Sequence, residues 1–340
     1  MKIAPPDALA QHASGHLTDP SGRRFEYLRL SLTDVCNFRC TYCLPNGYQK
    51  AAGRAPDLSL DEIVRGVTAF ARLGLWKVRL TGGEPTVRAE FTDIARRVAA
   101  VPGIRRVAMT TNGYRLANRA AEWRAAGVSA INVSIDSLDP ARFAAITGHD
   151  RLGEVLRGVE AARSAGFETI KLNAVLMRGV NDDELEAIIA FVRERDLSLR
   201  FIEVMRTNDN ARFFRDRHLP GQTVIDALQG MGWTRVPRAP GAGPAVEFGH
   251  AGVNGRIGVI APYAQDFCTT CNRLRLSAEG KLHLCLFGDG GLDLRSLLQS
   301  DAQIDELVER IAVLTARKAP AHRLHEGNSG VTPHLASIGG

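Results

Sequence analysis

From about residue 26 to 205 the chain alternates two hydrophobic rhythms. Short β-rich runs begin at 27 (YLRLSL), 77 (KVRLTG), 106 (RVAMTT), 130 (AINVSI), 169 (TIKLNAVL) and 198 (SLRFIEVM). Between them lie stretches with the spacing of amphipathic helices: SLDEIVRGVTAFARLG, EFTDIARRVAAV, ANRAAEWRAAG, GEVLRGVEAARSAG and DDELEAIIAFVRERD. Several open on a capping residue and close at glycine, as Ser59 and Gly74 do. Strand and helix in alternation imply parallel strands joined by helical crossovers. Only six such units are visible, too few for a closed eightfold barrel. An incomplete barrel and an open doubly wound sheet both fit, and both place ligands at the carboxyl ends of the strands. The segments TGGEP, TTNG, NVSID and FIEVM fall there.

After residue 206 the rhythm breaks. A polar, irregular stretch (RTNDNARFFRDRHLPGQ) leads to a short helix around TVIDALQGMG and then to a Pro/Gly loop, VPRAPGAGPA. VNGRIGVI reads as a hairpin turn into a strand. Helical stretches and a polar tail ending in Gly339 and Gly340 follow. The expected division is an N-terminal extension over 1–22, a partial barrel over 23–219 and a C-terminal domain over 220–340.

Composition narrows the function. With 340 residues, 45% hydrophobic and 24% charged, the chain has the balance of a soluble globular protein. No apolar run is long enough to span a bilayer, and the N-terminus lacks the apolar core of a signal peptide. A cytoplasmic protein with no membrane partner is expected. A formal net charge of +6 favours an anionic ligand. The basic residues are not gathered in one block and aromatics are only 6%, which fits a nucleotide phosphate better than a nucleic acid. The chain has no Gly-x4-Gly-Lys-Ser/Thr loop, so side chains must neutralise the phosphates. Arginine forks do this bidentately.

The six cysteines fall into two groups of three, with none left over. Clustered cysteines without a secretory signal read as metal ligands rather than disulfides. Cys36, Cys40 and Cys43 are spaced Cys-x3-Cys-x2-Cys directly after the first strand. Three thiolates on one loop hold three corners of a cubane cluster and leave one iron open. S-adenosylmethionine can chelate that iron, and an electron from the cluster can then break the sulfonium to give a 5′-deoxyadenosyl radical. In LTGGEP, the glycines permit close backbone approach and Glu84 offers a carboxylate to an amino group. Cys268, Cys271 and Cys285 repeat the three-ligand pattern as Cys-x2-Cys-x13-Cys. Structural zinc is the alternative at both groups. It needs a fourth ligand, for which His283 is the nearest candidate at the second.

From GRRFEYLRLSLTDVCNFRCTYC to the last residue the sequence closely resembles the molybdenum cofactor biosynthesis protein A family, the GTP 3′,8-cyclases. The first half is shared across radical S-adenosylmethionine enzymes, whereas NRLRLSAEGKLHLCLF and the terminal IGG are more specific. The resemblance implies an α/β fold, an incomplete (β/α)6 TIM-like barrel, with a C-terminal domain carrying a second iron–sulfur cluster. It implies two [4Fe–4S] clusters, a homodimer, an electron donor, and product handed to the cyclic pyranopterin monophosphate synthase. The implied reaction turns GTP into (8S)-3′,8-cyclo-7,8-dihydroguanosine 5′-triphosphate through hydrogen abstraction from C3′ of the ribose.

Carried over by motif, Tyr42, Gly83, Ser134 and Met205 correspond to S-adenosylmethionine contacts. Arg29, Arg79, Thr110, Lys171, Arg273 and Arg275 correspond to GTP contacts, with Lys77 and Arg200 as second-tier candidates. Gly339 and Gly340 correspond to a tail that inserts toward the active site and is needed for cyclisation. Leu44 stands where the family often has Met, a mild apolar change. No catalytic role is expected for any of the nine histidines. The alternatives are a radical S-adenosylmethionine peptide-modifying enzyme with an auxiliary cluster, and a zinc-stabilised binding protein.

Overall fold

The structure, a computed structural model, describes residues 16–195, 197–239, 241–288, 290–332 and 334–339. Each of the six runs forms a strand: β1 Tyr27–Ser31, β2 Lys77–Thr81, β3 Arg106–Thr111, β4 Val128–Ser134, β5 Thr169–Leu176 and β6 Ser198–Glu203. They pair in sequence order and all in parallel. The C-terminal strands are β7 Thr234–Arg235, β8 Val246–His250, β9 Val253–Ile260, β10 Arg273–Leu276, β11 Lys281–His283 and β12 Leu292–Asp293. The β8–β9 hairpin adds to β6, with β9 parallel to it, while β10 adds to β1, also in parallel. One open twelve-stranded sheet results, in the order β12-β11-β10-β1-β2-β3-β4-β5-β6-β9-β8-β7. The expected partial barrel is present, and the C-terminal strands extend the same sheet at both edges.

The helices are α1 Leu60–Arg72, α2 Phe91–Ala99, α3 Leu116–Ala125, α4 Pro140–Thr147, α5 Leu152–Ser164, α6 Leu185–Glu194, α7 Ala211–Arg217, α8 Gly221–Gly230 and α9 Ile304–Thr315. Helix α1 shows why they form where they do. Ser59 and Glu62 make a reciprocal capping box, Ile63, Val67 and Phe70 share a buried face, and Gly74 leaves the helix at φ 88°. Burying a side chain such as Phe70 contributes about 1.5–3 kcal/mol. Helix α7 lies in the stretch read as polar and irregular, a correction to that reading, and helix α4 is absent from the sequence expectations. It is capped by Asp139, begins at Pro140 and ends at Gly148 with φ 75°.

Strand alternation sorts the two sheet faces. Leu28, Leu30, Val78, Leu80, Val107, Met109, Ile131, Val133, Leu199 and Phe201 are buried in one continuous apolar core. The alternate positions of the same strands carry Tyr27, Arg29, Lys77, Arg79 and Arg200, and they line a cavity. No helix among the described residues is long and apolar enough to cross a membrane.

Candidate functional site

A cavity of about 340 Å³ is lined from β1 through β6, from β9 and from β10, so the sheet curves around it. All six cysteines reach its wall. Topology places the two groups at opposite ends. Cys36, Cys40 and Cys43 follow β1, at its carboxyl end. Cys268 and Cys271 precede β10, and Cys285 follows β11, which runs antiparallel to β10. Because β10 is parallel to β1, the second group lies at the amino ends of the strands. The first group thus lies at the carboxyl ends, where ligands are expected, and the second lies at the opposite ends. That position is set by a long-range pairing between residues 27 and 273.

The first loop is fixed from two sides. Arg39 N and Thr41 N donate to Thr147 O and Ile146 O at the end of α4, and Phe38 packs edge-on against Phe143. From the other side, Gly83 N donates to Thr33 O and Glu84 N to Val35 O. A Cβ on Gly83 would sit 2.4 Å from Val35 O, so these glycines are needed for the TGGEP backbone to lie against the cysteine loop. Glu84 is buried and its carboxylate already accepts from Thr86 N, Thr86 Oγ1, Thr111 Oγ1 and Asn112 N. It ties the TGGEP and TTNG loops together, where the sequence suggested a carboxylate offered to a ligand.

Burial pushes the Cys36 thiol up to about 11 and Cys43 to about 12, and drives Cys40 upward as well. Such thiols become ligands when a metal displaces their protons. Burial also raises Cys268. At Cys271 burial acts in the same direction, but the cations Arg273 and Lys318 outweigh it and bring the thiol to about 6. Among the described residues no three Cys, His, Asp or Glu side chains converge on a single-ion site. Structural zinc takes four ligands, whereas three thiols suit three corners of a cubane cluster. His283 does not line the cavity; burial lowers it to about 4.

Tyr42, Gly83, Ser134 and Met205 all line the cavity. The Tyr42 hydroxyl donates to Asp136 Oδ2 at 2.9 Å, while Val175 N donates to Asp136 Oδ1. Burial raises the Asp136 carboxyl to about 6 despite both bonds. Asp136 is a wall residue that sequence reasoning missed.

Between the cysteine groups the interior is basic and in register. Arg275, Arg29 and Arg79 are direct neighbours across β10, β1 and β2, and Arg273, Tyr27 and Lys77 form a second row. The rows are roughly 7 Å apart along the strands. Arg79 is held on one side: its Nε donates to the Tyr27 hydroxyl at 2.5 Å and its Nη1 to Met109 O and Thr110 Oγ1. Burial brings Arg275 down to about 9, Arg29 to about 10 and Lys77 to about 8, with repulsion from neighbouring cations adding to each. They remain cationic at neutral pH. Tyr27, also missed from sequence, responds oppositely. Burial would raise its phenol, but Arg79, Arg29 and Lys77 bring it to about 7. The Nε atoms of Arg200, Arg273 and Arg275 are buried with no hydrogen-bond partner among the described residues, as an interior built for an anion requires. Lys171 is not on the cavity wall; its Nζ lies 3.1 Å from Glu247 Oε1.

The tail enters this interior. Leu335 and Ala336 line the cavity, and Ile338 packs with Leu286, Phe287 and Leu324. Arg29 Nε donates to Gly339 O at 2.9 Å. Gly339 has φ 66°, and a Cβ there would lie 2.0 Å from Thr81 Oγ1. Gly340 lies outside the described residues.

Residues 30–192 match the Radical SAM superfamily, and residues 197–324 match Molybdenum Cofactor Synthesis C. The chain is 56% identical over 328 residues to the GTP 3′,8-cyclase of Aeromonas hydrophila, spanning 95% of this chain and 96% of that protein. It is 56% identical over 324 residues to the GTP 3′,8-cyclase of Stenotrophomonas maltophilia, spanning 95% and 99%. The Vibrio cholerae GTP 3′,8-cyclase is 54% identical over 319 residues, spanning 94% and 96%. Among solved structures, Streptococcus suis SuiB bound to S-adenosylmethionine has a TM-score of 0.59 at 13% identity, covering 89% of this chain and 71% of that one. That likeness speaks to the fold alone. The chain thus belongs to the radical SAM superfamily and, within it, to the family of the GTP 3′,8-cyclases.

Proposed function

We propose that the chain converts GTP into (8S)-3′,8-cyclo-7,8-dihydroguanosine 5′-triphosphate, the first step of molybdenum cofactor biosynthesis. The observation that carries this reading is a single cavity with three cysteines at each end and buried arginines between them. The identity with the cyclases over nearly the whole chain favours it over the peptide-modifying alternative. In this reading Cys36, Cys40 and Cys43 hold a [4Fe–4S] cluster, and Cys268, Cys271 and Cys285 hold a second. When bound, the first cluster and S-adenosylmethionine supply a 5′-deoxyadenosyl radical, which takes hydrogen from C3′ of the GTP ribose.

The chain's own residues bind and orient. Tyr42, Gly83, Ser134 and Met205 seat S-adenosylmethionine beside the first cysteine loop. Arg29, Arg79, Thr110, Lys171, Arg273 and Arg275 seat GTP, with Lys77 and Arg200 in support. Strand-borne arginines hold a flexible triphosphate in one pose, and such pre-orientation removes much of the entropic part of a ring-closing barrier. The tail, with Gly339 and Gly340, serves cyclisation by inserting toward the active site. The reading includes a cytoplasmic homodimer, an external electron donor and product transfer to the cyclic pyranopterin monophosphate synthase. It also includes the division into an extension (1–22), a partial barrel (23–219) and an auxiliary-cluster domain (220–340).

The test is anaerobic turnover of GTP deuterated at C3′, with mass spectrometry of the 5′-deoxyadenosine. Deuterium in that product is expected, and none should form with Cys40→Ser. Unlabelled 5′-deoxyadenosine from protein with both clusters present would refute C3′ of GTP as the site of abstraction.

A further inference from the structure

Behind the basic wall lies a carboxylate that the proposed reaction does not use. Glu247, on β8, places Oε1 3.1 Å from Lys171 Nζ and 3.6 Å from Arg200 Nη2. Its Oε2 faces Arg256 Nη1 at 3.9 Å, and the Arg256 side chain is half exposed. These three cations are the charged side chains paired with it. The sheet register produces the arrangement. Asn173, Arg200, Gly258 and Glu247 succeed one another across β5, β6, β9 and β8. Gly258 supplies no side chain between the arginine and the glutamate. A Cβ there would lie 3.3 Å from Arg200 Cγ and 3.1 Å from Ala245 Cβ, so the glycine lets the two charged groups meet.

Arg200 is held incompletely: its Nη2 reaches Glu247, while its buried Nε has no partner among the described residues. It also lines the cavity, together with Gly243 and Pro244 from the loop before β8. Lys171, bound to the same carboxylate oxygen, is held off the wall. One oxygen thus serves two buried cations that would otherwise repel each other. A phosphate oxygen offers the same charge and the same acceptor geometry.

We propose that Glu247 is a specificity-determining residue that stands in for the terminal phosphates of GTP, holding Lys171 and Arg200 together until a polyphosphate displaces it. The proposal rests on the reading of Lys171 and Arg200 as phosphate contacts. Its consequence is that affinity is set below what the cations alone would give. Each binding event must break the Glu247 pairs, and each product release is helped by their return. The effect is confined to the phosphate part of the ligand, because nothing in the Glu247 pairing involves the base or the ribose.

The test uses the cluster-loaded full chain under anaerobic calorimetry, with GTP, inorganic triphosphate and guanosine as probes. Glu247→Gln keeps shape and acceptor oxygen but removes the charge. It should bind GTP and triphosphate about tenfold more tightly, the scale of one part-buried charge pair, with guanosine unchanged. Glu247→Asp keeps the charge but withdraws it from Lys171, and should show a smaller tightening. Lys171→Gln serves as the control on the underlying reading and should weaken GTP and triphosphate while sparing guanosine. If Lys171→Gln leaves GTP binding at the wild-type level, Lys171 is no phosphate contact and the underlying reading fails. If it weakens GTP binding but both Glu247 variants bind GTP as the wild type does, or more weakly, the stand-in role alone is overturned.

Discussion

Replacing Gly339 by alanine tests whether the docked tail is part of the working site. Three costs follow from the structure. The residue sits at φ 66°, a left-handed conformation that costs a non-glycine residue about 1–2 kcal/mol. The new Cβ would stand 2.0 Å from Thr81 Oγ1 and 3.0 Å from Thr81 Cβ. Thr81 is buried and its hydroxyl donates to Leu30 O, so turning it away forfeits a bond of about 1 kcal/mol. If the tail withdraws instead, Arg29 loses its bond to the Gly339 carbonyl, and a bond from a charged donor contributes about 1.5–3 kcal/mol. Either route costs roughly 2–4 kcal/mol in total, so the docking equilibrium constant falls by roughly 30- to 1000-fold, and the tail undocks once that constant drops below one. Cyclised product should fall in proportion. Iron content should not, because Gly339 touches no cysteine; Cys43 is reached three residues earlier, through Ala336 N. The assay is quantified product from GTP, with iron content and melting temperature measured on the same sample. Adding Thr81→Ala removes the Oγ1 clash and should recover part of the loss. Wild-type turnover in Gly339→Ala would refute the reasoning.

Two further outcomes follow from buried polar groups. The Tyr27 phenol lies near 7 in the fold, because Arg79, Arg29 and Lys77 outweigh burial, against about 10 in the unfolded chain. A lowered folded value means stability that is complete above the unfolded value and lost as pH falls through the folded one. Wild type should therefore gain melting temperature over Tyr27→Phe between pH 7 and 10; parallel curves for the two proteins would rule this out. Glu84→Ala leaves buried donors on Thr86, Thr111 and Asn112 without their acceptor and should destabilise by about 2–4 kcal/mol in urea titrations. Glu84→Gln, which keeps the acceptor at Oε1, should cost less, and equal losses would point to the charge instead of the bonds.

What was legible in the sequence was whatever is local. The six barrel strands and helices α1, α2, α3, α5, α6 and α8 follow from periodicity and capping, as Ser59 and Gly74 show for α1. Helix α4 escaped because it has only eight residues and a weak apolar face; its signal was Asp139-Pro140 at the start and Gly148 at the end. The basic interior was written in period two, since Tyr27-Leu-Arg29, Lys77-Val-Arg79 and Arg273-Leu-Arg275 all alternate a polar and an apolar side. The placement of the second cysteine group was not legible. It depends on β10 choosing β1 as a parallel partner almost 250 residues away, and β10 is only four residues long. Glu247 escaped for the same reason, because its partners are fixed by where the β8–β9 hairpin joins β6.

The cost of this interior explains its construction. Adjacent strands lie about 4.8 Å apart, so in-register neighbours such as Arg275, Arg29 and Arg79 are held close whether or not they repel. Burial and mutual repulsion lower Arg275 and Arg29 together, so this interior concentrates unfavourable charge. The fold offsets part of it with groups it can supply itself: the Tyr27 hydroxyl on Arg79, the Gly339 carbonyl on Arg29 and the Glu247 carboxylate on Lys171 and Arg200. It leaves the Nε atoms of Arg200, Arg273 and Arg275 without hydrogen-bond partners among the described residues. In the proposed reading a polyanion relieves that remainder between the two cysteine groups. The repulsion therefore does what a phosphate-binding loop does elsewhere. In that reading it sets where the phosphates go, and with them the direction in which the rest of the nucleotide lies.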